Sequence, residues 1–74
     1  MAETKYIHDY RVRYDSDAKE GAYHLKDHLE TAESKVFFEM AKKNKLCQFE
    51  DNADRNYTLE YEGNNLFVLT RRNK

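Results

Sequence analysis

With 74 residues the chain has room for one core, near the lower limit of what folds without a metal, a disulfide or a partner. Charged residues make up 36% and aromatic residues 14%, which is too aromatic for disorder and too polar for more than a thin core. A formal charge of −1 excludes a global attraction to nucleic acid or anionic lipid, so a local patch would have to supply either one.

The first element is read from "KYIHDYRVRY", residues 5–14. Tyr6, His8, Tyr10, Val12 and Tyr14 alternate with Lys5, Asp9, Arg11 and Arg13, the pattern of one half-buried strand. "DSDAKEG" follows as a helix start, with Ser16 or Asp17 as N-cap and Glu20 in capping-box position. Ala22, Leu25, Leu29, Ala32, Val36 and Met40 then recur at three- and four-residue steps, the stripe of one helix over residues 18–43. Acidic residues lead that helix and Lys42, Lys43 and Lys45 trail it, as the macrodipole favours. The same arrangement leaves residues 1–34 with five basic against eight acidic side chains and residues 35–74 with eight against six.

Such a helix would be ~39 Å long against ~27 Å for an eight-residue strand, so it must overhang, bend or break. The expected break lies near Thr31–Ser34, where polar residues interrupt the stripe. "KLCQFED" reads as a short strand with Cys47 and Phe49 on one side, "NAD" as a turn, and "RNYTLEYE" as a strand with Tyr57, Leu59 and Tyr61 inward. "GNN" at 63–65 suits a hairpin turn, because Gly and Asn tolerate positive φ. The final strand, "LFVLTRR", is apolar on both sides, which predicts cover on both faces. The expected fold is α+β in the order β-α-β-β-β, an antiparallel sheet with one long helix on one face, forming a single small domain over residues 1–74. Tyr57, Leu59, Val68, Leu25, Leu29, Val36 and Met40 are its expected core.

No catalytic, metal or nucleotide motif stands out. His24 and His28 have metal-ligand spacing but need a third ligand, from Asp27, His8 or another chain, and read as solvated helix histidines. Cys47 has no cation or helix N-terminus near it in sequence to favour the thiolate, and reads as a small core residue. It cannot form an internal disulfide, and the first residues hold neither an apolar signal core nor a membrane-spanning run, so the expected setting is the cytoplasm. No cofactor and no membrane contact are expected. Arg11 and Arg13 are expected on the outer sheet face with Thr58, Glu60 and Glu62, in cross-strand Arg–Glu pairs.

Phe38 stands apart, since it projects ~160° from the apolar stripe, beside Ser34, Ala41 and Tyr23. An aromatic ring among small residues needs a cover. The expectation is a non-enzymatic protein-binding module, homodimeric through Phe38, Ala41, Ser34 and Tyr23, acting as a regulator, inhibitor or accessory subunit. A second reading is a nucleic-acid-binding protein using Arg71, Arg72 and Lys74 of the last strand and Lys42, Lys43 and Lys45 of the helix end.

Overall fold

The computed structural model describes residues 2–51 and 53–72. Its first departure from a simple strand lies at His8 and Asp9, whose φ values of 50° and 73° turn the chain back on itself. β1 (Glu3–Ile7) and β2 (Tyr10–Tyr14) therefore pair as an antiparallel hairpin, with Ile7 opposite Tyr10. His and Asp are among the side chains that tolerate left-handed backbone, and a tight hairpin favours positive φ at both turn residues. The Asn65 side chain donates to the Asp9 carbonyl at 3.1 Å and ties the turn to the next one along the sheet. The turn shifts the alternation by one residue. Ile7 joins Tyr10, Val12 and Tyr14 on the core side, and Tyr6, expected there, is 67% exposed.

A 3₁₀ turn at Ser16–Ala18 leads into α1 (Lys19–Tyr23), which widens to a π turn at His24–His28. The Leu29 N–H reaches five residues back to the His24 carbonyl at 3.0 Å, and Leu29 and Glu30 then take extended backbone. α2 (Thr31–Asn44) starts afresh behind a capping box, in which the Glu33 carboxylate accepts from the Glu30 N–H at 3.1 Å. The break thus falls just before the expected Thr31–Ser34 window. It leaves the Leu25 carbonyl without a helical donor, and the Ser34 hydroxyl donates to it at 2.8 Å while His8 Nε2 donates at 3.0 Å.

Restarting the helix resets its phase, and the expected faces of its second half exchange places. Ser34, Phe38 and Ala41 are fully buried, while Val36 and Met40, expected in the core, are 55% and 44% exposed. Leu25 is buried and Leu29 only partly so. The stripe read across residues 18–43 joins residues that face different ways, because two extended residues and a π turn separate the segments.

β3 (Leu46–Glu50), β4 (Asn56–Gly63) and β5 (Leu66–Arg71) complete a five-stranded sheet in the order β1-β2-β5-β4-β3. The chain crosses from β2 through the helices to the far edge, and two antiparallel connections carry it back to the centre. β5 consequently lies between β4 and β2, antiparallel to the first and parallel to the second. The fold is α+β, with a mixed sheet where an antiparallel one was expected and with β1–β2 in place of a single first strand. The "GNN" turn is where the sequence places it, with φ of 95°, 53° and 60° at Gly63, Asn64 and Asn65.

The core fills the space between the helices and one sheet face. Val12, Tyr57, Leu59, Phe67 and Leu69 supply the sheet side, and Ala22, Leu25, Phe38 and Ala41 the helical side. Val68, expected among them, points to the opposite face and is half-buried. Gly21 lets α1 rest directly on Tyr57, since a Cβ there would come within 2.7 Å of the ring.

Candidate protein-binding surfaces

The predicted contact set divides once folded. Phe38 is covered by its own chain: Tyr10 stacks on it at 4.2 Å with planes 7° apart, and Phe67 meets it edge-on at 5.0 Å. The Tyr10 hydroxyl donates to Glu39 Oε2 at 3.0 Å, and burial together with that carboxylate raises the phenol's pKa. Ser34 and Ala41 lie in the same buried row, so Phe38, Ser34 and Ala41 are not a partner-binding surface. The small residues do permit close approach, but the approaching element is the chain's own sheet. Of the four only Tyr23 is exposed, on a cleft of about 130 Å³ between β1 and α1 that Lys5, Lys19 and Lys26 also line.

What sequence reasoning missed is the face that this exchange turns outward. Ala32, Val36 and Met40 stand at i, i+4 and i+8 on α2, flanked by Lys35, Glu39 and Lys43, and line a shallow groove of about 520 Å³. Met40 lies on the side nearest β3, where the Cys47 thiol donates to its sulfur at 3.7 Å. Burial pushes the Cys47 thiol pKa up, which favours the unreactive protonated form. Periodicity alone reads Val36 and Met40 as core; the polar interruption at Thr31–Ser34 is the signal that the phase could change.

Of the six cations of the nucleic-acid reading, the five that lie among the described residues fall into two separate groups. Lys42 lies over the Tyr61 ring at 5.9 Å, Lys43 is on the outer face of α2, and Lys45 ends that helix with φ of 77°. Arg71 pairs with Tyr57 in the sheet and buries its Nε with no hydrogen-bond partner, while Arg72 Nε donates to the Tyr57 carbonyl at 3.5 Å. Lys45 meets the Tyr61 end of β4, and Arg71 and Arg72 meet the Tyr57 end, ~13 Å along the strand. Lys74 lies outside the described residues.

The helix histidines do come together, His24 Nδ1 and His28 Nδ1 standing 3.3 Å apart. His24 is buried against Phe49, and desolvation, reinforced by His28, lowers its pKa and favours the neutral ring. Among the described residues no group of three or more His, Cys, Asp or Glu is placed to hold a metal ion.

The chain matches no family model, no curated protein and no solved structure. Its surfaces are therefore read from their own chemistry. Among the described residues no helix is long and apolar enough to cross a membrane.

Proposed function

We propose that this is a cytoplasmic, non-enzymatic protein-binding module that works as a homodimer and serves as a regulator, inhibitor or accessory subunit of another protein. The observation that carries this reading is the outward stripe of α2, where Val36 and Met40 lie side by side at 55% and 44% exposure on a helix anchored by Phe38 beneath them. An apolar stripe on a helix already fixed in its own domain is complementary to a second amphipathic helix or groove. Lys35 and Lys43 beside it favour acidic side chains at the partner's rim. Methionine adapts to irregular partners at little strain. The free, buried thiol of Cys47 fits a reducing compartment.

The test is site-specific photocrosslinking in the native cell. A photoreactive residue at position 36 or 40 should yield one discrete heavier adduct, and the same residue at exposed Glu20 should not. Met40→Glu should abolish the adduct formed from position 36 while leaving the melting curve unchanged. No adduct from either stripe position would refute the reading.

A further inference from the structure

The helices cover one face of the sheet, and the other face is open. Its outward residues form level rows set by the strand register. One row runs Thr4, Arg13, Val68, Glu60 and Leu46 across β1, β2, β5, β4 and β3. The next begins Tyr6, Arg11 and Leu66 and reaches β4 at the Tyr61–Gly63 bulge, beside Glu62. The face is thus basic along β2, apolar along β5 and acidic along β4.

The Arg–Glu pairs expected here do not form within the chain. β5 separates β2 from β4, so the opposite charges stand two strand spacings apart, ~10 Å. Among the described residues neither Arg11 nor Arg13 makes an ion pair with Glu60 or Glu62, and Arg11 Nε is buried without a hydrogen-bond partner. Leu66 and Val68 of the central strand, whose sequence predicts cover on both faces, have it on only one.

We propose that a second copy of the chain supplies the cover, its open sheet face laid on the first about a two-fold axis parallel to β5. The homodimer belongs to the function proposed above, and its interface is here assigned to a surface separate from the α2 stripe. The charge pattern selects the axis. A two-fold along the strands keeps each row level and exchanges the β2 and β4 columns, so Arg13 meets Glu60 of the partner subunit and Arg11 meets Glu62 of the partner subunit, each pair formed twice. A two-fold across the strands would keep the columns and set arginine on arginine and glutamate on glutamate. Leu66 and Val68 fall on the favoured axis, inside a rim of ion pairs. The face spans all five strands, each five to eight residues long.

Charge reversal with sedimentation velocity tests this. Wild type should be dimeric at roughly 100 µM, with an association that weakens as salt is raised. Arg13→Glu and Glu60→Arg, both at exposed positions, should each keep the wild-type circular dichroism spectrum yet weaken dimerisation at least ~30-fold. Mixed in equal amounts, the two variants should form a heterodimer. The acid introduced at position 13 of one subunit then meets the base introduced at position 60 of the other, and the unaltered Arg13 and Glu60 meet as they do in wild type. Met40→Glu should stay dimeric, which separates this interface from the α2 stripe. Wild type that is monomeric at that concentration, dimers indifferent to either reversal, or a mixture that stays monomeric would each overturn the proposal.

Discussion

Phe38 and Met40 sit two residues apart on one helix with opposite fates, and the contrast gives the most direct check on the packing. Phe38→Ala removes a fully buried ring stacked on Tyr10 and should destabilise the protein by ~3–5 kcal/mol, whereas Val36→Ala should stay within ~0.5 kcal/mol in urea denaturation. Asp51 provides a second check, through pH. Burial pushes its carboxyl up, but the Arg55 side chain at 2.7 Å, the Arg55 and Ala53 amides and the Tyr57 hydroxyl outweigh that and hold it at about 2. A pKa depressed in the folded state stabilises fully above the ordinary value of 3.8 and is lost as pH falls through about 2. The contribution is ~2 kcal/mol. Stability measured at ~pH 6 should therefore exceed that at ~pH 2.5 by more in wild type than in Asp51→Asn. Equal acid sensitivity would remove Asp51 from the account. The same network raises the Tyr57 phenol to about 12, burial being the larger cause and the bond to Asp51 the second.

At the level of elements, the C-terminal half of the fold is legible in the sequence and the N-terminal half much less so. Alternation places Cys47, Phe49, Tyr57 and Leu59 inward, as found, and "GNN" marks its turn through residues that tolerate positive φ. The β1–β2 hairpin is hidden because His-Asp is a weak turn signal beside Asn-Gly, and period-two alternation continues on either side of it. The exchange of faces in α2 is hidden for a different reason. A helical stripe can be followed only while the helix is continuous, and here the Leu25 carbonyl leaves the helical ladder to bond Ser34 and His8, a tertiary arrangement with no local signature. That Phe38 needs a cover can be read from its neighbours; that the cover is Tyr10 and Phe67 cannot. α2 also ends on a non-glycine residue in left-handed backbone, Lys45 with φ of 77°. Lys45→Gly should raise stability by ~0.5–1 kcal/mol, visible as a higher melting temperature, because the carbonyl that receives the Tyr61 N–H is kept while the Cβ strain is lost.

For the whole molecule, the sheet face proposed for self-association and the α2 stripe lie on opposite sides, so a dimer would present two outward stripes and could bind two partners or one repeated one. Among the described strands, β5 is the one that pairs with both the β1–β2 hairpin and the β3–β4 pair. A chain ended after Gly63 should show no cooperative thermal transition, while one begun at Tyr6 loses only part of an edge strand and should keep its transition. A cooperative transition in the chain ended after Gly63 would contradict the strand order. The central strand is also the last of the five to be made. While a nascent chain still lacks Leu66–Arg71, Val12, Tyr57 and Leu59 have no finished core to enter, and they are open to chaperones or to another unfinished chain. The sheet can close only after that strand has left the ribosome, and until then the partly made chain is open to misassembly.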